Sequence, residues 1–175
     1  MKKHRGMRSQ DIVVLLKIAA LGEREWLAKE LAFALDISQS EVSESLNRSQ
    51  IAGLLSADKK KLMKNNLLDF LEHGLRYVYP AQPGAIQRGI PTAHNAPPLN
   101  SIISAEESYV WPWAEGKVRG QAIEPLHPGV PGACIRDPGL YELLALVDTL
   151  RLGRAREKLQ ATDELRKQIT GSYKK

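Results

Sequence analysis

Residues Leu31 to Leu46 read Leu-Ala-Phe-Ala-Leu-Asp-Ile-Ser-Gln-Ser-Glu-Val-Ser-Glu-Ser-Leu. A helix-turn-helix needs a small residue where its second helix comes close, then a turn residue that tolerates positive φ. After these come an apolar residue packing back, a cap, and apolar positions along the second helix. Ala32 is the small residue and Asp36 takes the turn, where glycine is commonest; Asp adopts left-handed φ more readily than most residues. Ile37 packs back, Ser38 caps, and Val42 and Leu46 point inward. Periodic leucines occur in any three-helix core, so the turn signature at this spacing carries the reading.

Working outward, Ser9 can cap a helix from about Gln10 to Leu21, with Asp11 in its first turn and Gly22 as its stop. A second helix is expected from about Glu23 to Leu35, with Trp26, Leu27, Leu31 and Leu35 on one face. A third runs from about Gln39 to Leu55. Glu41, three residues after Ser38, makes a capping box. A fourth runs from about Lys59 to His73, capped by Asp58 or Ser56 and ended by Gly74.

All ten prolines lie between Pro80 and Pro138. Proline removes a hydrogen bond from a helix and clashes with the preceding turn, so long helices belong to the two flanks. The flanks, residues 1–79 and 139–175, each carry net +3, and the proline-bearing stretch carries net −1. Leu75 to Tyr79 reads as a strand, Ala81-Gln82-Pro83-Gly84 as a turn and Ala85 to Ala93 as the returning strand. Val110 to Trp113 and Lys117 to Ile123 read as two more strands joined at Ala114-Glu115-Gly116, and Leu126 to Arg136 as an ordered loop. Pro138 then starts a helix over Gly139 to Leu152, and a last helix covers Arg154 to Ile169.

On these residues the chain resembles winged helix-turn-helix transcriptional regulators of the MarR-like type, over roughly residues 9–95. The tail, Leu140-Tyr141-Glu142-Leu143-Leu144-Ala145-Leu146-Val147-Asp148 followed by Leu152-Gly153-Arg154-Ala155-Arg156-Glu157, is similar to that of bacterial regulators encoded beside nucleotidyltransferase-type toxins. The implied fold is mainly α with a small β part (α+β). It comprises a winged helix-turn-helix DNA-binding domain (1–95), a proline-rich connector with short strands (96–138) and C-terminal helices for oligomerisation (139–175).

The third helix would then be the reader. Its side chains expected to be exposed are Gln39, Ser40, Ser43, Glu44, Asn47 and Arg48. Gln and Asn pair with adenine, Arg with guanine, and a carboxylate can accept from cytosine. Changing Asn47 and Arg48 to alanine is expected to abolish sequence preference and leave the fold intact. Lys59, Lys60, Lys61 and Lys64 suit phosphates, although a solvated first helical turn accounts for them equally well. Arg76 and Arg88 bracket the Gln82-Pro83-Gly84 turn as a wing tip would, and an ordinary hairpin fits as well. Glu41 and Glu44 oppose a DNA duplex, Glu41 being accounted for by the capping box.

Other chemistry finds little support. There is no glycine-rich phosphate loop, GxSxG or HExxH, so no enzymatic role is expected. Cys134 is the single cysteine and reads as a small buried residue rather than a redox thiol. His94 and His127 lack ligand-spaced neighbours, so neither metal nor cofactor is expected. Trp111-Pro112-Trp113 can line a ligand pocket, dock a partner or, more simply, pack a small sheet. No apolar run approaches the roughly 18–20 residues that span a bilayer, so no membrane is expected. The basic start (Lys2, Lys3, Arg5, Arg8) and the apolar run after it lack a cleavage site, which points to the cytoplasm. A pI of about 9.3 is compatible with a polyanionic partner.

The expected function is sequence-specific binding of double-stranded DNA by a homodimeric transcriptional regulator, a repressor. Its dimer interface would be the Gly139–Leu152 helix, with the first helix. The alternatives are an antitoxin or adaptor that mainly binds a toxin-like partner protein, motivated by Glu41, Glu44 and the tryptophan pair, and a repressor gated by a small molecule in the middle segment.

Overall fold

The computed structural model describes residues 6–171; Lys2, Lys3 and Arg5 of the basic start lie outside them. Helix α1 (Ser9–Leu21) begins one residue before the expected start. Arg8 holds the cap position, and its backbone N–H donates to Asp11 Oδ2 at 2.8 Å. Residues 11–16 and Ile18 are all buried. A helix covered on every side lies inside a domain, and α1 is enclosed by α3, α7 and α2, with α8 also touching it.

Helix α2 (Ala28–Leu35) starts later than the apolar period suggested. The Leu27 N–H donates to Glu30 Oε2 at 2.9 Å and sets the boundary there. Asp36 takes the left-handed conformation expected of it, φ 54° and ψ 44°. Ser38 caps α3 (Gln39–Ile51) by accepting from the Glu41 N–H at 3.2 Å. The reciprocal half of the capping box is missing. The Glu41 carboxylate instead accepts from Gln10 Nε2 at 2.8 Å and Arg8 Nη1 at 3.4 Å, which ties α3 to α1.

The chain departs from expectation after Ile51. Gly53 has φ +77°, and the Leu54 N–H turns back to Ser49 O at 2.9 Å, closing α3 four residues early. Residues 54–63 form a short hairpin rather than the start of a helix. Leu55 and Leu62 pair antiparallel, and the Met63 N–H donates to Leu54 O at 3.0 Å. Lys59, at φ 60°, is incompatible with a helical start. Helix α4 therefore spans only Lys64–His73.

Leu75–Val78 is a helical turn, α5, and not a strand. Strand β1 (Ile86–Pro91) pairs instead with β2 (Tyr109–Pro112) and β3 (Val118–Ala122), antiparallel to both. β2 and β3 run parallel where Tyr109 faces Gln121, so the three strands close on themselves. The closure depends on glycine. A Cβ on Gly89 would stand 2.0 Å from Trp111 O, and one on Gly116 would stand 2.4 Å from Gly89 O. Within the stretch expected to be a loop, Val130–Arg136 forms α6, because Pro131 falls in the first turn, where its missing N–H is tolerated.

Helix α7 (Pro138–Leu152) is the hub. Residues 143–150 are all buried, and α1, α4, α5, α6 and α8 (Ala155–Thr170) pack around it. Its apolar stripe is thus covered within one chain and is not left over to pair two copies, which corrects the expected dimer interface. The architecture is mainly α with a small β part. No helix among the described residues is long and apolar enough to cross a membrane.

Asp137 joins α7 to α1. It accepts from the Leu140 N–H at 3.0 Å, as an N-cap, and from Lys17 Nζ. Burial works against its ionisation, but the Lys17 ammonium and the amide donors outweigh burial and hold its pKa below the ordinary carboxylate value. Such a depressed carboxylate contributes stability above the unfolded pKa of about 3.9, and that contribution disappears as pH falls through the lower folded value. Asp137→Asn is expected to lower stability at pH 7 by about 1–2 kcal/mol. The gap from wild type, followed by urea unfolding at several pH values, should close in strong acid.

Candidate nucleic-acid interface

The α2 turn delivers α3 with one polar face outward. Gln39, Ser40, Ser43 and Glu44 are exposed on it, and Val42, Ser45 and Leu46 face the core. The Ser38 and Ser40 hydroxyls lie 3.1 Å apart at its N-terminus.

Arg48 does not share that face. Its Nε donates to Asp11 Oδ2 at 2.8 Å and its Nη2 to Asp11 Oδ1 at 2.7 Å, a bidentate pair in which Asp11 is fully buried. The hydrogen bond to Asp11 holds the guanidinium pKa above its ordinary value despite burial. Arg48 is therefore absent from the exposed face on which helical spacing is expected to place it. It is three residues from Ser45 and six from Val42, and so follows the inner face. Asn47 is half-buried, and its Oδ1 accepts from Lys59 Nζ.

That contact places the hairpin tip against the second half of α3. The tip is organised by its own polar groups. The Ser56 hydroxyl donates to Asp58 and accepts from the Lys61 N–H at 3.0 Å, and the Lys60 N–H donates to Asp58 at 3.0 Å. The Ser56 hydroxyl, and then the Lys60 amide, hold the Asp58 pKa below its ordinary value. Lys60 and Lys61 are exposed and Lys59 is half-buried. Lys64 lies at the base of the tip and pairs with Glu23 at 2.8 Å. A cleft of about 970 Å³ lies behind the hairpin, floored by Ile18, Leu46 and Leu62 and edged by Trp26 and Lys59.

Arg88 is on β1, away from this tip. The Gln82-Pro83-Gly84 turn joins α5 to β1 and is not a hairpin, so Arg76 and Arg88 do not bracket one. Arg76 lies over the Tyr77 ring at 5.4 Å. The register puts Arg88 opposite Arg119 of β3. The sequence marks Arg119 only by its alternation with Lys117 and Gln121 along a strand, a signal that needs the pairing partner to become informative.

The remaining candidates are structural. Trp111 is 1% exposed and packs against Tyr141 with ring centroids 5.8 Å apart. Its Nε1 donates to Asp148 at 2.7 Å, so it lines no pocket. Cys134 is buried, which raises its thiol pKa and keeps it protonated. His94 faces Glu107 O at 2.9 Å, and His127 Nδ1 accepts from the Gly129 N–H. Burial lowers the pKa of His127. Among the described residues no three His, Cys, Asp or Glu side chains are grouped to hold a metal ion.

Comparison with protein-family models, curated proteins and solved structures found no match.

Proposed function

We propose that the chain is a winged helix-turn-helix regulator that binds double-stranded DNA in a sequence-specific way, as a homodimeric repressor. In this reading α3 enters the major groove, with Gln39, Ser40, Ser43 and Glu44 toward base edges. The hairpin at residues 54–63 is the wing, and Lys59, Lys60 and Lys61 meet the phosphates. The observation that carries the reading is the juxtaposition of an exposed polar face on α3 with a three-lysine hairpin tip, linked by the Asn47–Lys59 hydrogen bond. Two recognition helices must stand about one DNA turn, roughly 34 Å, apart in a dimer. The surface that pairs them is outside α7.

Neutralised phosphates release counterions, so log K falls with log[salt] by about 0.9 per contact. Replacing Lys59, Lys60 and Lys61 together by alanine is expected to flatten that slope by about 2–3 and weaken binding about tenfold or more at ~0.1 M salt. Fluorescence anisotropy across a salt series with promoter duplex measures both. A wild-type protein with no salt-dependent affinity for duplex would sink the reading.

A second reading, an antitoxin or adaptor that binds a partner protein, is favoured by Phe33. This α2 ring is 89% exposed, the largest exposure of any large apolar side chain among the described residues. Co-purification of a partner that protects Phe33, together with unmeasurable DNA binding, would establish it over the first.

A further inference from the structure

Residues 80–138 carry four basic side chains, Arg88, Lys117, Arg119 and Arg136, within a net −1 segment. Three of the four converge. Arg88 and Arg119 are direct partners in the β1–β3 register. They border one open concavity with Trp113, Gln87 and Pro112. The third arginine arrives from α6. The point a Gly132 Cβ would occupy is 3.7 Å from the Trp113 ring and 4.0 Å from Arg136 Nη1.

Like charges placed directly opposite across an antiparallel pair are unfavourable. Here the sheet tolerates such a pair, and among the described residues neither Arg88 nor Arg119 has a carboxylate partner. Among the acidic side chains of the segment, Asp137 pairs with Lys17 and Glu107 with Arg154. An uncompensated arginine pair gains most from a ligand that presents closely spaced negative charges. Duplex DNA presents one per about 1.7 Å of axis.

The location selects the same ligand. Arg136 Nη2 donates to Ala34 O, at the end of α2, at 3.4 Å. A Cβ on Gly129 would stand 2.7 Å from Leu35 O, so the α6 entry lies against the turn that presents α3. The lysine hairpin adjoins the second half of α3, through Asn47, and Arg136 ties its end of the arginine group to α2, just before the turn into α3.

We propose that Arg88, Arg119 and Arg136, gathered around Trp113, form a second phosphate-binding surface that grips the backbone of the DNA duplex beyond the segment read by α3. This rests on the reading of α3 and the hairpin as the primary DNA contact. It lengthens the footprint, and it gives the proline-bearing segment a binding role of its own.

The test is anisotropy with two labelled duplexes, one of about one helical turn and one of about three turns, each titrated across salt. Four proteins are compared: wild type, Arg88→Gln/Arg119→Gln/Arg136→Gln, the same triple change to lysine, and Arg88→Gln/Arg119→Gln. On the long duplex the glutamine triple should lose about 0.9 of salt slope per arginine removed. The lysine triple should keep the slope, and on the short duplex all four should agree. The Arg88/Arg119 double variant changes only exposed sheet side chains, so it keeps the test readable should loss of the Arg136–Ala34 contact unfold the triple.

A glutamine double or triple variant with the wild-type slope on the long duplex overturns the proposal, and would follow if the surface serves an acidic protein instead. That outcome leaves the α3 reading standing. A wild-type protein that binds neither duplex overturns both.

Discussion

Asp148→Ala should destabilise the protein by about 3–5 kcal/mol. Asp148 is 2% exposed and accepts three short hydrogen bonds, each 2.7 Å, from Trp111 Nε1, Thr92 Oγ1 and Arg151 Nη1. Removing its carboxylate leaves a buried indole N–H and a buried hydroxyl without acceptors and a buried guanidinium without its counter-charge. Arg151 would retain only Tyr79 O at 2.9 Å and Glu124 O at 3.2 Å. The loss would be felt widely, because these partners belong to α7, β2, the end of α5 and the segments flanking the sheet. Urea unfolding measures it. At this chain length the melting temperature should fall by roughly 10 °C. Near-ultraviolet circular dichroism should lose the Trp111 signal first. Asp148→Asn should fall between the two, since it keeps an acceptor but not the charge. An Asp148→Ala protein within 1 kcal/mol of wild type by the same measurement would contradict this account.

The second large effect lies at the Asp11–Arg48 pair. Arg48→Ala leaves a fully buried Asp11 with only the Arg8 amide, and Asp11→Ala leaves a buried guanidinium. Either should cost about 3–5 kcal/mol, because removing one partner exposes the desolvation penalty of the other. Asp11→Leu/Arg48→Met removes both charges and should recover much of that stability. A double-mutant cycle in urea gives the coupling directly. The same substitutions separate stability from recognition. From sequence, changing Asn47 and Arg48 together to alanine is expected to abolish base preference in an intact fold; with Arg48 engaged inside the protein, its loss should appear first in the unfolding curve. Gln39→Ala and Ser43→Ala, on the exposed face of α3, should leave the unfolding curve in place. A stable Arg48→Ala protein with altered DNA preference would reverse this assignment.

How much could be read beforehand varied with the distance over which each feature is decided. The α2–α3 turn was legible because Asp36, Ile37 and Ser38 act over five or six residues: a left-handed φ, an apolar anchor and a cap. The helix after Pro138 was legible for the same reason. The hairpin at residues 54–63 was not, because its lysines and leucines also satisfy a helical period. What decides against a helix is Gly53 and Lys59 at positive φ, with Leu55 opposite Leu62. Leu75 to Tyr79 has strand-like composition yet forms a helical turn, since β1 finds its partners about 20–35 residues further on rather than just before it.

The candidate site divides the same way. Gln39, Ser40, Ser43 and Glu44 were placed correctly on an exposed face by helical spacing alone. Arg48 was misplaced because the residue that claims it, Asp11, is 37 positions away. Arg88 flanks no hairpin, because the Gln82-Pro83-Gly84 turn joins α5 to β1, and Arg119 and Arg136 carry no signal until the sheet closes and α6 docks on α2.

By itself, then, the sequence determined the helical flanks, the charge division around the proline block and the turn that aims α3. Each follows from backbone preferences and side-chain periods within a few residues. Only the tertiary structure decided that α7 is interior, that Arg48 is a structural cation and that three arginines meet around Trp113. Burial and pairing depend on which surfaces meet in space, and no local period encodes the identity of a partner across a fold.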